Sequence, residues 1–149
     1  MSLGCDYRIM AEGNFSIGLN ETKLGIVAPV WFQDAMVNVA GQRQAEQALQ
    51  LGEMYPNTEA LRIRLVDRLV PETQVREEAL KEMDKWLTIP DLPRIISKSQ
   101  LRAPTMDKFA QIREADLENF VTFITGPAVQ KGLGRYMEKL KEKASKKDS

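Results

Sequence analysis

The pattern of apolar and polar residues near the start of the chain predicts two short β-strands. Tyr7 and Ile9 can share one face of a strand over residues 6–10, and a second apolar segment follows at residues 15–19. The segment between them, Glu12-Gly13-Asn14, has the composition of a turn. We therefore expect two consecutive strands within this first part of the chain.

The remaining pattern is mainly helical, because apolar residues recur at intervals of three and four. The predicted helices cover residues 31–51, 58–64, 75–87, 92–102, 109–124 and a C-terminal segment from residue 129. A strand at residues 65–70 interrupts this series, Gly41 divides the first helix, and Pro104 is expected to separate the fourth helix from the fifth. One face of the last helix carries an apolar stripe: Val129, Leu133, Tyr136, Met137 and Leu140. The chain therefore combines short strands with helices, as layered α/β folds do.

Composition excludes several classes of function. The 149 residues carry 21 basic and 21 acidic side chains, and the resulting net charge of zero argues against nucleic acid as the main partner. No apolar run reaches the length of a membrane span. The single cysteine excludes an internal disulfide, and the absence of histidine removes His-dependent nucleophilic catalysis and the usual His-containing zinc sites. We therefore expect no metal site, and a catalytic acid or base would be a carboxylate.

One carboxylate, Glu21, lies within residues 15–26, a segment that contains glycines at positions 18 and 25 and the core-type residues Ile17, Leu19, Leu24 and Ile26. Burial disfavours the charged form of a carboxylate, so a glutamate in such surroundings is suited to carrying protons near neutral pH. It also directly follows a predicted strand, where loops of α/β folds commonly carry function. From spacing alone, the plainer interpretation is a loop carboxylate that points into water.

Several motifs in this region resemble the enoyl-CoA hydratase/isomerase (crotonase) superfamily. They are Cys5-Asp6-Tyr7-Arg8-Ile9, Ile17-Gly18-Leu19-Asn20-Glu21-Thr22, Leu24-Gly25-Ile26 and Pro29. The resemblance continues through residues 45–51, 66–67 and 70–71 into the C-terminal helices, and it is strongest to the mitochondrial isomerases of the family. It implies the C-terminal part of a crotonase fold. Residues 1–89 would form the core and residues 90–149 a helical assembly region that builds a homotrimer.

The resemblance also implies a reaction. Glu21 matches the catalytic base that moves the double bond of a 3-enoyl-CoA to the trans-2 position, and Asn20 matches a substrate-contacting position. The substrate would be an acyl-CoA thioester, with coenzyme A as part of it and no separate cofactor. The setting would be fatty acid β-oxidation in the mitochondrial matrix. Members of the family usually carry glycine where Arg64 stands, so we expect mild backbone strain there.

In this family the amides of the oxyanion hole precede the Cys-Asp-Tyr-Arg strand, at which this chain begins. The resemblance therefore implies a C-terminal half, and we expect little or no turnover from these residues alone. Two alternatives stay open. The parent protein could be a 2-enoyl-CoA hydratase with a second glutamate in the preceding part. The chain could also be a non-catalytic module that assembles with complete subunits through its C-terminal helices.

Overall fold

A computed structural model describes residues 2–145, excluding the side chains of Lys139 and of residues 142–145. Met1 and residues 146–149, the end of the expected assembly region, lie outside the described residues. The strands are β1 Ile9–Ala11, β2 Ser16–Gly18, β3 Met54–Pro56 and β4 Arg68–Val70. The helices are α1 Val30–Ala40, α2 Gln42–Leu51, α3 Asn57–Arg62, α4 Val75–Leu87, α5 Asp91–Thr125 and α6 Pro127–Ser145. Short 3-10 turns occur at Ser2–Gly4, Glu21–Leu24 and Glu72–Gln74.

The four strands form two small sheets. β1 and β4 are parallel, with Met10 opposite Leu69, whereas β2 and β3 are antiparallel, with Ile17 opposite Tyr55. The buried core lies between these sheets and the first three helices, and it contains Met36, Ala45, Ala48, Tyr55, Ala60, Ile63, Leu65 and Val66. Ile17 and Leu19 pack against this core, so β2 and the segment that follows it are fixed from one side.

The strands are shorter than predicted, because neighbouring backbone groups bond elsewhere. β1 starts at Ile9, since the backbone N–H of Arg8 donates to the carboxylate of Asp67 at 2.8 Å instead of to a strand partner. The strand predicted at residues 65–70 starts only at Arg68, because the N–H groups of Leu65 and Val66 donate to the carbonyl of Ala60 at the end of α3.

The predicted break at Pro104 was wrong, because α5 continues through it for 35 residues. Proline removes one N–H and leaves the carbonyl of Gln100 without its helical partner. Both residues are exposed, so water can satisfy that carbonyl. Side-chain contacts also hold the helix on both sides of Pro104: Arg102 donates to the carbonyl of Gly4 at 2.8 Å, and Lys108 donates to Asp34 at 2.7 Å.

Arg64 has a left-handed backbone conformation, with φ 61°, as expected for a position where glycine is usual. It lies two residues beyond the end of α3, and its side chain is exposed. No helix within residues 2–145 is both long and apolar enough to cross a bilayer.

Candidate active site

The segment that follows β2 forms a tight turn, which we call the Glu21 turn (residues 20–25). Asn20 precedes the 3-10 helix Glu21–Leu24, and Gly25 closes it with φ 76°. The N–H of Lys23 donates to the carbonyl of Asn20 at 3.0 Å, and the N–H of Ile26 donates to the carbonyl of Glu21 at 3.0 Å. The backbone at Glu21 is therefore bonded to residues on its C-terminal side.

The Glu21 turn is packed between α2 and α6. On one side, the hydroxyl of Thr22 donates to the carbonyl of Leu49 in α2. On the other side α6 comes close: a methyl group placed at Gly132 would lie 3.6 Å from the carbonyl oxygen of Leu24. One placed at Gly25 would lie 3.8 Å from Val129. Helices from two distant parts of the chain thus fix the position of the turn.

The carboxylate of Glu21 is directed into the protein. The residue as a whole is half-buried, but its Oε2 atom has almost no accessible surface and no hydrogen-bond partner within the described part of the chain. A buried acceptor without a partner costs roughly 1–3 kcal/mol, and such groups in native proteins call for an explanation such as a catalytic role or an unseen water. The arrangement leaves one oxygen available to accept a proton.

Asn20 is half-buried beside Glu21, and its side chain forms no capping hydrogen bond to the turn it precedes. The turn brings the two predicted site residues together at the end of β2. Among the described residues, no group of three or more His, Cys, Asp or Glu side chains could hold a metal ion.

A cavity of about 270 Å³ adjoins the turn on the side of α6. Lys23 and Arg135 line it together with Leu24, Gly132 and Tyr136. Two cations at one cavity make it suited to an anionic group. This cavity was not predictable from the sequence, since the two cations are more than a hundred residues apart and the packing of α6 on the turn brings them together.

Asp116 in α5 is a second residue near the site that was not predicted from the sequence. Its carboxylate accepts a hydrogen bond from the backbone N–H of Val30, with both oxygens 3.1 Å from the nitrogen. The one sequence signal was negative: the first turn of α1 contains no acidic residue of its own, although such residues are common there.

Comparisons with known proteins show the family of the chain. The family described as enoyl-CoA hydratase/isomerase matches residues 1–147. The chain belongs to this family. Among curated proteins it is 53% identical over 144 residues to enoyl-CoA delta isomerase 1, mitochondrial, of Rattus norvegicus, which covers 96% of this chain and 50% of the rat protein. It is 47% identical over 143 residues to the Homo sapiens protein of the same name, covering 95% of this chain and 47% of the human one.

The fold prediction is confirmed by a solved structure, that of human mitochondrial delta3-delta2-enoyl-CoA isomerase. It superposes with a TM-score of 0.90 at 47% sequence identity, over 95% of this chain and 55% of that chain. The chain therefore has an α/β fold that forms part of the crotonase fold. It spans about half the length of the curated relatives it matches.

Proposed function

We propose that the protein is an enoyl-CoA isomerase that converts 3-enoyl-CoA to trans-2-enoyl-CoA, with Glu21 as its base. The observation that carries this proposal is the buried, unpartnered Oε2 of Glu21 at the end of β2. It occurs in a chain that is 53% identical to a protein named enoyl-CoA delta isomerase. A carboxylate matches the chemistry, because the chain has no histidine that could serve instead.

In the proposed reaction Glu21 removes a proton from C2 of the substrate. The electron pair of that C–H bond forms a C1=C2 double bond, and the π electrons of the thioester carbonyl move to its oxygen. When the carbonyl re-forms, the C1=C2 electron pair becomes the C2=C3 double bond, and the original C3=C4 pair takes the proton from Glu21 at C4. The intermediate is a dienolate with negative charge on the thioester oxygen. Hydrogen-bond donors at that oxygen are required, and each such donor is typically worth roughly 100-fold to 1,000-fold in rate.

Asn20 would contact the substrate beside the base, since it precedes Glu21 and its side chain is not used in capping the turn. Lys23 and Arg135, which line the cavity beside the turn, would favour an anionic substrate such as a coenzyme A thioester. The proton returns to the substrate, so the proposed reaction uses no separate cofactor.

Both relatives are named as mitochondrial proteins, and we propose the mitochondrial matrix and fatty acid β-oxidation for this protein as well.

We also propose that residues 90–149 form an assembly region next to a core of residues 1–89, and that the protein is a homotrimer. The supporting observation is that the apolar stripe of α6 is packed against the rest of the chain only in its first part and is exposed in its second part. Val129 and Leu133 are half-buried, whereas Tyr136, Met137 and Leu140 are 37%, 54% and 43% exposed. α5 adds exposed apolar side chains of its own: Leu92, Ile95, Ile96, Leu101, Met106, Leu117, Val121 and Phe123.

The catalytic proposal is tested with Glu21→Gln in the protein at its natural length, assayed with a 3-enoyl-CoA and separately with a trans-2-enoyl-CoA. We expect kcat for isomerisation to fall by about 100-fold to 10,000-fold, as for loss of a general base. The thermal midpoint should not fall, because Oε2 of Glu21 has no partner to lose. Glu12→Gln, at an exposed residue between β1 and β2, is the matched control and should keep full activity.

Full activity of Glu21→Gln would refute the assignment of the base. Faster water addition to the trans-2-enoyl-CoA than isomerisation would instead identify a hydratase.

The assembly proposal is tested by light scattering during size-exclusion chromatography, where we expect three times the chain mass. A monomer at micromolar concentration would contradict it.

A further inference from the structure

A carboxylate from a distant helix caps the N-terminus of α1. The first N–H groups of an α-helix have no partner within the helix and carry a partial positive charge. In α1 the N-cap residue is Pro29, which provides no side-chain hydrogen bond, and the first turn contains no acidic residue. Both carboxylate oxygens of Asp116, 86 residues further along the chain, lie 3.1 Å from the backbone nitrogen of Val30. Asp116 therefore supplies the missing cap from α5.

The segment that joins this cap to the Glu21 turn is closely fixed. At one end the N–H of Ile26 donates to the carbonyl of Glu21 at 3.0 Å. Ile26 and Ala28 are each only 6% exposed. At the other end the side chain of Gln33, in the first turn of α1, donates to the carbonyl of Ala28 at 2.7 Å. A shift of the α1 N-terminus would thus be transmitted to Glu21 along a short segment that is anchored by the buried side chains of Ile26 and Ala28.

Two other polar contacts join α1 and α5, but they lie further from the Glu21 turn. Lys108 donates to Asp34 at 2.7 Å, and the side-chain amide of Asn38 donates to the hydroxyl of Thr105 at 2.9 Å. Among the side-chain hydrogen bonds of the described residues, the one from Val30 to Asp116 joins α5 to the end of α1 that leads to Glu21. The contact between Lys108 and Asp34 provides a natural control, since it joins the same two helices without reaching that end.

We propose that Asp116 is a positioning residue for Glu21: by capping α1 from α5, it fixes the segment that carries the base. This inference rests on the proposed role of Glu21. Proton transfer requires the base within hydrogen-bond reach of the substrate carbon, and a displacement of about 1 Å can cost roughly 100-fold in rate. Asn20 and Lys23 lie in the same turn, so KM can change as well. The effect should nevertheless be larger on kcat than on KM, because proton transfer depends most steeply on the position of the base.

The test compares Asp116→Ala, Asp116→Asn and Lys108→Met in the protein at its natural length. We expect Asp116→Ala to lower kcat by about 10-fold or more, with KM within about twofold of wild type. Asp116→Asn should recover most of the activity, because its amide oxygen can still accept the hydrogen bond from Val30. Lys108→Met should keep kcat within about twofold of wild type, although it can lower stability, because it removes a contact that holds α5 beside Pro104. Amide hydrogen exchange over residues 26–30 should accelerate in Asp116→Ala alone.

Each outcome decides a separate point. Wild-type kcat or unchanged exchange in Asp116→Ala, with Glu21→Gln inactive, overturns the positioning role and leaves the proposed base intact. An active Glu21→Gln overturns the proposed function itself. If Asp116→Ala does not fold, Asp116→Glu replaces it, since the added methylene keeps the charge but moves the carboxylate. A kcat that falls by a larger factor than KM changes then supports the proposal, and a wild-type kcat overturns it.

Discussion

Gly18 is the last residue of β2 and lies two residues before Asn20. A side chain introduced at Gly18 therefore tests whether the pairing of β2 with β3 fixes the position of the site residues. Gly18 is paired with Met54 across the β2–β3 sheet. A Cβ atom built at Gly18 would lie 2.2 Å from the carbonyl oxygen of Glu53 and 3.0 Å from Cα of Met54. Both are backbone atoms, so no flexible side chain can move aside.

The magnitude of the effect follows from these distances. Real Cβ contacts are essentially never shorter than 3.0 Å, so Gly18→Ala requires the two strands to separate by about 0.8 Å at this point. A hydrogen bond of about 2.9 Å lengthened by that amount falls outside the normal range. Overpacking costs about 1–3 kcal/mol, and a lost strand hydrogen bond costs about 1 kcal/mol more. We therefore expect a loss of about 2–4 kcal/mol in the free energy of unfolding.

The assay is chemical denaturation together with isomerase kinetics. For a protein of this size the stability loss corresponds to a fall of about 5–15 °C in the thermal midpoint. Below that midpoint kcat should still fall by at least about 10-fold, because the strands separate next to Asn20 and Glu21. Gly134→Ala is the matched control. Gly134 lies within α6, and apart from its chain neighbours and the backbone of that helix, no atom of the described residues lies within 4 Å of the added methyl group. The substitution should stabilise the helix by up to about 1 kcal/mol. Equal stability of Gly18→Ala and wild type would refute the reasoning.

Two further predictions concern stability alone. Burial and the hydrogen bond to the Glu53 carboxylate raise the pKa of Tyr55 to about 12 from 10.0, so its neutral form is favoured in the folded state. The resulting stabilisation of the folded state is on the order of 2 kcal/mol. It should be complete below pH 10 and lost as the pH rises toward 12. Tyr55→Phe should flatten this part of the curve of unfolding free energy against pH. An unchanged alkaline limb in Tyr55→Phe would contradict the prediction. Arg64→Gly should raise the free energy of unfolding, measured by urea denaturation, by about 0.5–1 kcal/mol, because glycine adopts the left-handed conformation without strain. As the control, Arg113→Gly inside α5 should lower the free energy of unfolding by about 1 kcal/mol. A loss of stability in both variants would contradict the strain at Arg64.

Local features of the sequence determined much of this protein. The apolar period placed α1, α2, α4 and α6, the turn residues at positions 12–14 separated β1 from β2, and the Asn-Glu pair indicated the family. These predictions were confirmed because residues close together in the chain decide helix period and turn conformation. The role of Glu21 as the base stays a prediction. The left-handed conformation of Arg64 was predictable from the family resemblance, because relatives usually carry glycine at that position.

Only the tertiary structure decided how the Glu21 turn is held and which helices are continuous. α5 passes through Pro104 because contacts to Gly4 and to Asp34 hold it on both sides of the proline, and no local pattern records those contacts. The cap that Asp116 provides to Val30 and the burial of Oε2 of Glu21 likewise depend on groups brought together by packing. Sequence pattern reports a residue's neighbours along the chain, whereas burial and long-range hydrogen bonds depend on neighbours in space.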